Sequence, residues 1–114
     1  MENLMIYTLT AAFILMDMLT GIIKAVMMKD FTSSIMREGL FHKTGSVICV
    51  AFGVLVDCAQ TVIDLGVSVP VASTICAYII IMEIGSIIEN ICMINPDIMP
   101  DKLKSYFSKL SNKE

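Results

Sequence analysis

Apolar residues gather into three long runs along this chain, separated by short polar stretches. The runs cover about residues 4–28, 44–65 and 70–94. Each has about the 20 residues that a helix needs to cross roughly 30 Å of hydrocarbon. The pattern predicts an all-α membrane protein with three transmembrane helices. A polar loop, residues 29–43, joins the first two spans. The last two are joined only by Gly66-Val67-Ser68-Val69, closed by Pro70, which reads as a tight hairpin turn. A polar tail follows over residues 95–114. Nothing basic precedes the first run and Asp17 interrupts it, so it reads as a retained span and not as a signal peptide.

Lysine and arginine set the expected orientation. The first loop carries Lys29, Arg37 and Lys43, with Lys24 just inside the span, and the tail carries Lys102, Lys104, Lys109 and Lys113. The turn after the second span has no charge. Both basic segments fall on one side of a three-span chain, predicting the N-terminus outside and the C-terminus in the cytoplasm. In the tail, Met99, Leu103, Tyr106, Phe107 and Leu110 recur at helical spacing, and Pro100 and Asp101 suit a helix start. An amphipathic helix on the cytoplasmic leaflet and a solvated basic tail are the two readings. In the loop, Ser34 is a candidate cap for a short helix, and His42 reads as an interfacial polar residue, with no partner cluster beside it.

Composition narrows the class. Of the 114 residues, 56% are hydrophobic and 17% charged, with a formal net charge of −3, more apolar than soluble domains at about 45–50%. Disorder does not fit that excess, and the absence of a basic stripe leaves no nucleic-acid partner. Cys49, Cys58, Cys76 and Cys92 lie inside apolar runs without metal-ligand spacing, so they read as small fillers of helix interfaces. One His, no GxSxG and no Gly-rich phosphate loop leave no catalytic constellation and no cofactor or metal expectation.

The carboxylates within the spans are the candidate chemistry. Asp17, Asp57 and Glu83 fall near the middles of the three runs, where each charge costs about 2.5–3.5 kcal/mol to insert. Such groups must face protein or water, find partners, or carry a proton. Thr10, Asp17 and Lys24 share a helix face with Thr20 and Gly21 beside it. Gly45, Cys49, Gly53, Asp57, Gln60 and Asp64 form a stripe on the second span, and Ala72, Cys76, Glu83, Ser86 and Asn90 one on the third. Gly21, Gly45 and Gly53 are the candidate close-packing positions. Two arrangements stay open. The polar faces point inward within one bundle, Lys24 pairing with Asp17 or another carboxylate, or they line a water-filled lumen built by many copies. Glu89 lies off the third stripe and reads as an interfacial contact.

Asp17-x-x-Thr20-Gly21-x-x-Lys24-Ala25, followed by Ser33-Ser34-x-x-Arg37-Glu38-Gly39-Leu40-Phe41-x-Lys43, resembles the signature of phage holins of the toxin-secretion and phage-lysis type. The run Tyr78-Ile79-x-x-Met82-Glu83-x-x-Ser86-Ile87-x-Glu89-Asn90 is similar to that family's final span. The resemblance covers about residues 5–95. It implies a small multi-pass protein of the bacterial cytoplasmic membrane that forms homo-oligomers at a set time. It then opens lesions through which an endolysin, or in some relatives a toxin, passes. Endolysin is a functional partner there without required contact. In that picture Asp57 or Glu83 ionises once the helices turn toward water. A small proton-coupled transporter subunit and an antiholin-type regulator are the alternatives.

Overall fold

The computed structural model describes residues 2–30, 32–66, 68–98, 100–102 and 105. Among them three helices form and no strand: α1 Glu2–Met27, α2 Ser33–Val62 and α3 Val71–Ile94. At 1.5 Å per residue these run about 39, 45 and 36 Å, so each exceeds a hydrocarbon layer of roughly 30 Å. All three are apolar enough to cross a membrane by length and composition. Of the predicted tail helix, Asp101, Lys102 and Ser105 are helical, while Met99, Leu103 and residues 106–114 lie outside the described residues.

α2 starts well before the apolar run that announces it. Residues 33–43, read as loop from their polarity, form its first three turns, and Thr32 is the cap in place of Ser34. The Thr32 hydroxyl accepts from the Ile35 N–H at 3.2 Å, satisfying one of the unpaired donors at the helix start. No proline interrupts 33–62, so once capped the helix continues through Arg37, Glu38 and His42. The connection back to α1 is correspondingly short. Asp30 N–H bonds to Ala25 C=O at 2.8 Å and Lys29 N–H to Val26 C=O at 3.2 Å. These two bonds make a Schellman ending, and they put Lys29 at φ +56°, a left-handed position that glycine usually fills.

α3 lies between the other two. It packs along α1 on one side and against α2 on the other, with only slight contact between α1 and α2. The pairs Asp17–Ser86 and Thr20–Asn90 show α1 and α3 running in the same direction. Lys43–Glu83 and Asp57–Val71 show α2 running against them. Gly53 makes the closest approach: a methyl there would sit 2.9 Å from Ala72 Cα and 3.0 Å from Ile75 Cδ1. Ile14, Ala72, Cys76, Ile79 and Ile87 are the buried apolar residues. Most of α2 faces outward, with Phe41, Val47, Ile48, Phe52 and Leu55 exposed, as suits a helix against lipid or other chains. Cys76 is the interface filler the sequence suggests, whereas Cys49 and Cys58 stand exposed on α2.

Candidate functional site

The centre of the bundle is a charged cluster drawn from all three helices. The Lys43 ammonium, on α2, donates to Asp17 Oδ2 on α1 and to Glu83 Oε2 on α3, the latter at 2.7 Å. The second oxygen of Asp17 accepts from the Ser86 hydroxyl at 2.6 Å and from the Asn90 amide at 3.0 Å. Asn90 also donates to the Thr20 hydroxyl at 3.1 Å, and that hydroxyl donates in turn to the Met16 carbonyl at 3.0 Å. Asp17, Glu83, Thr20 and Asn90 are each no more than 8% exposed. Spacing explains the convergence. Asp17 and Thr20 are one turn apart on α1, and Glu83, Ser86 and Asn90 follow one another at three- and four-residue steps on α3, so each set lies on one face.

The arrangement suits a low-dielectric interior. Lone midplane charges are costly, but here every charged group has an opposite charge and hydrogen bonds within reach. Written as charges, two carboxylates meet one ammonium, for a net −1. Removing the lysine would leave two like charges together with no counter-charge, the unfavourable half of any buried pair.

Lys43, which the sequence places at the end of a basic loop, is the residue that sequence reasoning missed. Lys24, in one of the two expected arrangements a partner of Asp17 or another carboxylate, makes no ion pair among the described residues and lies half-buried at a cleft between the three helices. The physical reason is the early start of α2. Its first three turns carry Lys43 inward to the level of Asp17, while Lys24 sits two turns beyond Asp17 toward the end of α1. The available signal was the uninterrupted helical stretch after Thr32, which makes 33–43 helix and Lys43 part of a buried face.

The other expected residues go elsewhere. Asp57 is not at the middle of its helix but within two turns of its end. There its carboxylate accepts from the backbone N–H groups of Val71 at 2.8 Å and Ala72 at 3.1 Å. That caps α3, whose own N-cap position is Pro70 with no side-chain bond. Gln60 exchanges two 3.0 Å bonds with the backbone of Val69, and Asp64 accepts from the Gly66 N–H at 2.9 Å in a turn where Gly66 takes φ +83°. These three fix the α2–α3 connection. Gly53 is a packing position, a methyl at Gly21 would lie in ordinary contact with Asn90, and one at Gly45 would meet nothing within 4 Å. Arg37, Glu38 and Gly39 are exposed on the first turns of α2, and Glu89 is exposed on α3.

Three membrane-length helices joined by an internal salt-bridge network define a small multi-pass membrane protein. The sequence model of the bacteriophage holin family matches residues 2–112, nearly the whole chain, and the chain belongs to that family. It is also 34% identical over 103 residues to the uncharacterized 14.9 kDa protein in the nagH 3′ region of Clostridium perfringens, covering 90% of this chain and 74% of the relative. No solved structure matches it.

Proposed function

We propose that this chain acts as a holin in the bacterial cytoplasmic membrane, with its N-terminus outside and its C-terminus inside. Copies accumulate, self-associate and open lesions through which an endolysin reaches the cell wall. Family membership supports this reading, as do three membrane-length helices and the distribution of basic residues. With Lys43 withdrawn into the cluster, Lys24, Lys29 and Arg37 still mark the α1–α2 end, as do the tail lysines, whereas the α2–α3 connection has no basic residue.

The observation that carries the mechanism is the Asp17–Lys43–Glu83 cluster. In the single chain it pairs charges from all three helices within one bundle. α2 is fastened to α3 toward its end through Gly53 and Asp57, and about a third of the way along by Lys43. Release of Lys43 frees the first half of α2 to swing and exposes two carboxylates. In a bilayer these are tolerated only against other polar chains or water. Association of opened copies around a hydrated lesion satisfies both needs.

The test is induced expression in bacteria with and without a cytoplasmic endolysin, following turbidity and membrane potential. The reading expects abrupt loss of potential, with lysis only when endolysin is present. Loss of potential with endolysin retained inside would indicate a small leak and sink the lesion. Absence of any effect at verified membrane levels, with delay of another holin's lysis, would make the chain a regulator.

A further inference from the structure

We propose that the cleft between the three helices is a water-filled vestibule. It brings solvent from the α1–α2 end to the charged cluster while the opposite half of the bundle stays sealed. The cleft has a volume of about 330 Å³, room for about ten waters at roughly 30 Å³ each. Asp17, Lys43, Ser86 and Asn90 border its depth, and Lys24, Asp30 and Thr32 border it near the α1–α2 turn. On the far side of the cluster, Gly53 meets Ala72, and Ile14, Cys76 and Ile79 are buried.

Two glycines separate this cleft from an accident of loose packing. Gly21 on α1 and Gly39 on α2 both border it. A methyl at Gly21 would meet only Asn90 Nδ2, at the ordinary distance of 3.6 Å, and one at Gly39 would meet nothing within 4 Å. Neither glycine is needed to bring helix backbones together, in contrast to Gly53. What their missing side chains provide is space. Met18, Ile22, Ile35, Met36 and Leu40 also line the cleft, so the occupant follows from the charged groups at its depth. The Lys43 side chain keeps 15% of its surface exposed and those of Asp17 and Glu83 9% each. Hydrocarbon against charged atoms is unfavourable where water is not.

This claim concerns the single chain and stands apart from lysis. The full chain, with Cys49, Cys58, Cys76 and Cys92 replaced by alanine, receives Met18→Cys, a cleft position that makes no side-chain hydrogen bond among those described. Ala25→Cys serves as a second cleft position. A membrane-impermeant cationic thiol reagent is applied to vesicles of each orientation, below the level that causes leakage. Membrane insertion and helix content are checked for every variant.

Both cleft thiols are expected to react from the α1–α2 side only, at rates comparable to Ser33→Cys, while Ile14→Cys reacts from neither side. Adding Gly39→Leu, which narrows the cleft, slows labelling of Met18→Cys several-fold and leaves Ser33→Cys unchanged. Cleft thiols that react only with an apolar, membrane-permeant maleimide would show that lipid occupies the space. Reaction from the opposite side would show that the seal is misplaced. Either result overturns the proposal.

Discussion

At Lys43 one ammonium serves two carboxylates, and the consequences of changing each partner differ in sign. Lys43→Met leaves Asp17 and Glu83 side by side without a counter-charge. The expected loss is about 3–5 kcal/mol, read as unfolding at lower detergent fraction in mixed-micelle titration. Glu83→Gln keeps an acceptor near Lys43 and turns a net −1 cluster neutral, so its stability should stay within about 1 kcal/mol of the parent or rise. Equal losses in both variants would mean that packing, not charge, holds the site. A second residue-scale effect lies at Lys29, whose φ of +56° costs a non-glycine residue roughly 1–2 kcal/mol. Lys29→Gly should recover about 1 kcal/mol in the same titration. The Asp17, Glu83, Ser86 and Asn90 faces were readable from three- and four-residue spacing. Lys43 was not, because a lysine next to an apolar run looks the same whether it stops at the interface or reaches inward.

Helices α1 and α3 were legible because their apolar runs coincide with their hydrogen-bonded lengths. α2 was legible only from Thr44 onward, since its first turns are polar and helix continuity depends on the Thr32 cap, not on hydrophobicity. Asp57 shows the same limit. An acidic residue in an apolar run gives no sign of whether it serves a midplane cluster or caps the next helix, and only the short α2–α3 turn brings it to Val71 and Ala72. The glycine stripe on α2 divides likewise. Gly53→Ala must push α2 from α3, because its methyl would lie 2.9 Å from a backbone atom. The expected cost is about 1–3 kcal/mol. Gly45→Ala meets nothing and should leave single-chain stability within about 0.5 kcal/mol. If Gly45→Ala nonetheless weakens cross-linking between copies, its face belongs to the assembly. Asp57→Ala should cost about 1–2 kcal/mol by uncapping α3, seen as faster amide exchange at Val71 and Ala72.

For the molecule as a whole, α2 is a bar fastened at two places by unlike means, about a third of the way along and toward its end. Backbone contact and a helix cap hold it near Gly53 and Asp57, and a salt-bridge network holds it at Lys43. The first fastening is short-ranged, a backbone contact beside a short carboxylate held by two backbone N–H groups. The second is one long side chain reaching across a cleft. Opening should therefore begin at the Lys43 end, and its rate should follow the strength of that attachment. If release of α2 is the step that precedes lesion formation, Lys43→Met brings lysis forward at matched membrane levels. Glu83→Gln, with the remaining pair neutral, should delay it. Combining Asp17→Asn, Lys43→Met and Glu83→Gln removes both the attachment and the exposed charges. That variant should insert and fold yet trigger poorly, because the opened form no longer requires water or polar neighbours. Lysis onset, measured by turbidity with membrane abundance quantified in parallel, separates this order from simple instability. Instability alone would delay or abolish lysis in Lys43→Met, whereas a latch requires it to come early.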